Sequence, residues 1–132
     1  MFEQNKRLTY KDFAVEDLIA VNYLVGNGCT FNCIVSMCQR IVEMYMKEII
    51  EESLMNNNEV MLSHDLRKLF EYIENMGINL KPIRSDVMLL NNFYTHTRYP
   101  GRSAYLATKE DTANAHQALL NCVMYLGNLC KM

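Results

Sequence analysis

Phe31-NCIVSMCQRIVEMYMKEIIEESL-Met55 is the stretch on which the reading of the fold turns. Stepped at about 100° per residue, Ile34, Val35, Met37, Cys38, Ile41, Val42, Met44, Tyr45, Met46 and Ile49 cover more than half of the helix circumference. One neighbour cannot cover so wide an apolar arc. The segment is therefore expected to be the central helix of a bundle, touching several others, with Thr30 as its N-cap. What remains is a narrow polar stripe of Asn32, Ser36, Gln39/Arg40, Glu43, Lys47 and Glu51. Glu43 and Lys47, four apart with the acid first, suit a helical ion pair worth about 0.2–0.5 kcal/mol when exposed. Taken alone, the stripe reads as a solvated face.

Upstream, Thr9 and Asp12 make a capping-box start for a helix over Tyr10–Val25, which Asn27-Gly28 stops. Phe13, Ala14, Leu18, Ala20, Val21, Leu24 and Val25 share its apolar face, and Asp17 falls on the same face. A carboxylate there must be paired, protonated or close to an edge. Downstream, Met55 to Asn58 reads as a loop tip. Ser63 then opens a helix that turns Leu66, Leu69, Phe70 and Ile73 inward and ends at Met76-Gly77. After Lys81-Pro82 a shorter helix is expected over Ile83–Tyr94, with Val87, Leu90 and Phe93/Tyr94 as its apolar side. Periodicity fails over 95–107, which includes Tyr94-Thr-His-Thr-Arg98-Tyr99-Pro100-Gly101, and this stretch is expected to be a loop. Thr108 and Asp111 cap a last helix to about Leu129, with Ala115, Leu119, Leu120, Cys122, Val123, Leu126 and Cys130 as its core face. No useful run alternates with period two, so no sheet is expected. The expectation is one all-α domain over residues 1–132, an antiparallel bundle of four to five helices.

Composition supports one packed domain. The chain has 132 residues, half of them hydrophobic, with two prolines and five glycines and no linker-like tract. The uncharged run from Leu18 to Arg40 is interrupted by Asn22, Asn27, Gly28, Asn32 and Ser36, which excludes a membrane span. The first residues lack the apolar stretch of a signal peptide, so a cytoplasmic protein without membrane association is expected. Cysteines 29, 33, 38, 122 and 130 then read as reduced thiols acting as small core residues. Cys29-x3-Cys33 lacks the tight pairing of zinc ribbons, and neither a metal nor a cofactor is expected. Net charge is −2, yet residues 81–102 carry Lys81, Arg84, Arg98 and Arg102 against only Asp86. A basic patch on a mildly acidic chain suits a confined anion site better than a long nucleic-acid track.

The chain contains no Gly-rich phosphate loop, no Gly-x-Ser-x-Gly elbow, no His-Glu-x-x-His and no calcium loop. Among its three histidines, His64 reads as a capping-region residue and His116 as a core or interface residue. His96 stands two residues before Arg98, near Tyr94, Tyr99 and Arg102. A titratable base, fixed cations and aromatic faces suit phosphate binding beside a stacked base. They would equally serve a metal-free ribonuclease, with His96 as base and Arg98 as phosphate clamp.

Four features in order carry a resemblance: Asp17-Leu18, Gln39-x3-Glu43-x3-Lys47, His64-Asp65-Leu66 and Tyr94-x3-Arg98-Tyr99-Pro100. Across about residues 10–130 the chain resembles the HEPN domain family, small α-helical modules that commonly dimerise. The resemblance implies four or five helices, with the polar stripe and the Arg-Tyr-Pro segment facing a cleft. It recasts Asp17, Gln39, Glu43 and Lys47 as a semi-buried polar network, with Arg98 or Lys47 as partner for Asp17. Many ribonucleases similar to this fold carry an arginine followed a few residues later by a histidine, which this chain lacks. Arg84 precedes His96 by too far, and Arg98 meets no histidine before His116. Members that resemble this chain without that pair are often encoded beside a small nucleotidyltransferase. The resemblance therefore implies a non-catalytic homodimer that binds nucleotide or polyphosphate through Arg98, Tyr99, Tyr94, Arg102 and Lys47. It would act with such a partner in a toxin–antitoxin-like or defence system. The alternatives are a metal-independent ribonuclease acting on RNA, and a purely structural dimerisation module whose polar stripe sets register.

Overall fold

Two capping boxes start the first and last helices. Thr9 accepts from the Asp12 amide while its own amide donates to the Asp12 carboxylate, and Thr108 and Asp111 repeat the exchange. The computed structural model describes residues 7–54, 57–98, 100–102 and 104–130, the side chains of Thr95 and Arg98 excepted. Among them are six α-helices and no strand. They are α1 (Tyr10–Gly26), α2 (Asn32–Glu52), α3 (Asn58–Met61), α4 (Leu66–Asn75), α5 (Arg84–Arg98) and α6 (Lys109–Gly127), with a 3₁₀ turn, Lys81–Ile83, leading into α5. Gly28, at φ 76°, stops α1: its amide donates to Val25 and that of Cys29 donates to Leu24, the paired bonds of a Schellman end. Leu54 stops α2 at φ 60° with no glycine to ease it.

Side-chain bonds between helices fix their directions. Lys11 lies at the level of Glu48 and Asp17 at that of Arg40, so α1 runs antiparallel to α2. Asn32 reaches Thr97, so α5 is antiparallel to α2 as well. Asn121 reaches Asp86 and Tyr125 reaches Asn79, which sets α6 against α5 and hence along α2. The segment after Ser53 returns the chain to the level of Glu43 before α4 begins, so α4 also runs along α2. Helix α2 packs on α1, α4, α5 and α6, as its wide apolar arc requires. The core is built from Ile34, Val35, Ile41, Val42, Met46 and Ile50 of α2, with Leu66, Leu69, Phe70, Ile73, Leu90, Leu119 and Leu126 from the helices around it. No helix among the described residues is long and apolar enough to cross a membrane.

Several expectations need correction. The stretch from Tyr94 to Arg98 is not loop but the last turn of α5. Thr97 donates its hydroxyl to the Phe93 carbonyl, the Asn32 amide donates to the Thr97 carbonyl, and the Tyr105 amide donates to the His96 carbonyl. Asp65, not Ser63, caps α4 by accepting from the Arg67 amide. Phe31 occupies the N-cap of α2 without a side-chain bond, so Thr30 is not the cap. Asn58 already belongs to α3, with Asn57 as its cap. Phe13 and Ala20 are exposed rather than buried, because α1 is apolar on its outer side too.

Candidate functional site

The polar stripe of α2 divides into a closed half and an open half. In the closed half the start of α4 lies over Gln39, Glu43 and Lys47, all fully buried. Glu43 Oε2 accepts from Lys47 Nζ at 2.8 Å and meets His64 Nδ1 at 3.0 Å. Gln39 Nε2 donates to the His64 carbonyl at 2.8 Å and more weakly to Glu43 Oε1 at 3.5 Å. Gln39 Oε1, enclosed in the same cluster, has no hydrogen-bond partner among the described residues. A carboxylate that accepts from Lys47 requires His64 Nδ1 to be the donor, which leaves Nε2 as the acceptor nitrogen of the neutral ring. The His64 side chain is 60% exposed, and its ring lies nearly parallel to that of Tyr94 at 6.3 Å. A buried acid therefore orients an open imidazole, the arrangement that general-base chemistry uses. Below it, Asp65 Oδ1 accepts from Asn91 while Asn91 Oδ1 accepts from the Leu66 amide, which pins the start of α4 to α5.

The open half holds Asn32, Ser36 and Arg40. Asp17 pairs with Arg40 Nε at 3.5 Å, so the carboxylate on the apolar stripe of α1 is satisfied at the edge of the bundle. Arg98, the partner considered for Asp17, has its side chain outside the described residues, as does Tyr99 altogether. A cavity of about 330 Å³ is lined by Cys33, Ser36, Met37, Arg40 and Thr97. A second, of about 270 Å³, is lined by residues that include Asn32, His96, Thr97, Pro100 and Tyr105. Thr97, at the end of α5, thus stands between two cavities. His96 stacks on Tyr105 at 6.2 Å, and its enclosed Nδ1 has no partner among the described residues. Arg102 is exposed beyond it.

Of the residues singled out from sequence, Gln39, Glu43 and Lys47 meet in one cluster with His64 and Tyr94. Asp17 lies apart from them, on Arg40. Lys47 is only 4% exposed and bound to Glu43, which leaves it no open face for a ligand. Sequence reasoning missed two participants. Arg40 was visible only as one more member of the stripe, and His64 only as a capping-region residue within the His64-Asp65-Leu66 feature of the resemblance, without a role at the site. Their signal was the shared stripe on α2, but only the path of the chain back to Glu43 selects them. Among the described residues no group of three or more His, Cys, Asp or Glu could hold a metal ion.

The family model described as HEPN domain matches residues 9–129. No curated protein and no solved structure matches the chain. The family match spans α1 to α6 and nearly the whole sequence, so the chain belongs to the HEPN domain family.

Proposed function

We propose that this HEPN module binds a nucleotide or polyphosphate at the end of the bundle where α2 begins and α5 ends. It acts there as a homodimer beside a partner protein such as a nucleotidyltransferase, in a toxin–antitoxin-like or defence system. One observation carries the binding reading: α2 has neither a side-chain cap nor an acid in its first turn, and its first turns line the 330 Å³ cavity with Ser36 and Arg40. Unpaired amides at a helix N-terminus favour an anion, and a neighbouring guanidinium adds to that preference. Arg98 and Arg102 bring further cations from the adjoining segment, and Tyr94 or Tyr99 supplies a face for a base. Titration calorimetry with adenosine triphosphate tests it: Arg98→Ala and Arg40→Ala each abolish binding. Unchanged affinity in Arg98→Ala would remove that residue from the site.

A second reading, metal-independent cleavage of RNA, draws support from the Glu43–His64 pair rather than from His96. His64 has an oriented ring with an open nitrogen, whereas His96 Nδ1 is enclosed. Incubation of single-stranded RNA with chelator present separates the histidines. Cleavage lost in His64→Ala and retained in His96→Ala supports this reading, and intact RNA after long incubation with folded protein sinks it.

A further inference from the structure

His64 is held more firmly than an exposed histidine needs to be. Glu43 Oε2 meets its Nδ1 at 3.0 Å, the Tyr94 ring lies nearly parallel to its own at 6.3 Å, and Gln39 Nε2 donates to its carbonyl at 2.8 Å. The supporting groups reduce stability. Glu43 and Lys47 are 2% and 4% exposed, and apolar residues of similar volume often serve a fold better than a buried ion pair. Gln39 Oε1 adds an enclosed acceptor with no partner among the described residues. Preorganisation of the imidazole accounts for the cluster where stability does not.

The free nitrogen, Nε2, can act as metal ligand, general base or nucleophile. No group of three or more His, Cys, Asp or Glu among the described residues could hold a metal ion. A general base needs its substrate seated within reach, yet the cavities of about 350, 330 and 270 Å³ along α2 are lined by other residues. The His64 side chain is instead 60% exposed, open to a reactive group that another protein carries. Attack by Nε2 leaves positive charge on the ring, and the enclosed Glu43 carboxylate favours that charge. Lys47, 2.8 Å from the same carboxylate, balances it beforehand.

We propose that His64 is a phosphoryl-acceptor site, taking a phosphoryl group at Nε2 from a phosphohistidine on a partner protein. The inference does not depend on the nucleotide reading, and it uses the ring that the RNA reading would use. An acyl group on imidazole is soon hydrolysed, whereas a phosphoryl group persists. No Gly-rich loop is present to hold a nucleoside triphosphate beside the ring, so the donor must itself be reactive, as an N–P bond is. In the transfer the donor's N–P bond breaks and a new one forms at His64 Nε2. Each ring keeps its proton on Nδ1. The positive charge passes from the donor imidazolium to His64, opposite Glu43, and no further reactant is needed.

Potassium phosphoramidate, a small donor with the same bond that releases ammonia, tests the site in the intact chain. Intact mass and phosphorus NMR should show one phosphoryl group, on His64 Nε2, gained roughly tenfold or more faster than at His96 or His116. His64→Ala removes it, and adenosine triphosphate alone transfers none. Glu43→Gln with Lys47→Met keeps an acceptor for Nδ1 but no buried charge, and should slow the reaction roughly tenfold. Should that variant fail to fold, the comparison of the three histidines in the intact chain decides alone. Labelling at Nδ1, or at equal rates on all three histidines, overturns the acceptor site. An undiminished rate in the folded double variant overturns the part given to Glu43. Labelling by adenosine triphosphate alone overturns the donor. So does an unmodified His64 in chain purified from its own cells at alkaline pH, where N–P bonds survive.

Discussion

Glu43 shows how one carboxylate can organise a buried cluster. It is 2% exposed and holds two nitrogen donors, so removing it strands Lys47 without a counter-charge inside the bundle. Glu43→Ala is expected to cost about 3–5 kcal/mol in urea unfolding, far more than the few tenths of an exposed helical pair. Replacing both partners with apolar residues of similar volume, as in Glu43→Leu with Lys47→Met, should recover most of that loss. A double-mutant cycle that proves additive would show that the two groups do not depend on each other. A second residue-scale test concerns Leu54, exposed and at φ 60° where only glycine is unstrained. Leu54→Gly should stabilise the chain by about 1 kcal/mol, read as a higher urea midpoint with unchanged slope.

At the scale of elements, the two helix ends at the candidate site depend on each other. The last turn of α5 contains Thr95, His96 and Thr97, all weak helix formers. Its helical state is held by bonds from Asn32, 65 residues away in sequence, and from Tyr105 in the segment that follows. The N-terminus of α2 is left without a cap by Phe31, which is itself exposed. Phe31→Asp should therefore raise stability by about 1 kcal/mol, through a cap and a favourable charge at the dipole. The same substitution should weaken binding of adenosine triphosphate, since its carboxylate occupies the position of the proposed anion. A gain in stability with undiminished binding would move the anion away from this helix end.

For the whole molecule, buried acids set the alkaline limit. Burial pushes the Cys38 thiol from 9.0 up to about 12 and, with the Glu52 carboxylate adding to it, the Cys130 thiol up to about 11. Burial also pushes up the Cys122 thiol and the Tyr45 phenol. An acid that holds its proton more tightly in the folded chain contributes its full stability below its unfolded value. That contribution is lost as pH rises toward the folded value. Stability should thus decline from about pH 9 upward, and Cys38→Val should flatten the decline. A limb as steep as that of the parent chain would place its cause elsewhere.

Much of this architecture was legible in residue order because it is local. Capping boxes at Thr9 and Thr108, the Gly28 and Gly77 stops and the wide apolar arc of α2 each act within a few turns of chain. They determined an all-α bundle around a central helix. The periodicity that marked Gln39, Glu43 and Lys47 as one stripe could not say whether water or protein faced it. Only the tertiary path, which brings His64 back over Glu43 while leaving Arg40 open beside Asp17, decided that half the stripe is buried and half is not. The same long-range contacts turned Tyr94–Arg98 from an expected loop into helix. Burial and hydrogen-bond partners distant in sequence are properties of the packed chain, and no pattern within a single helix encodes them.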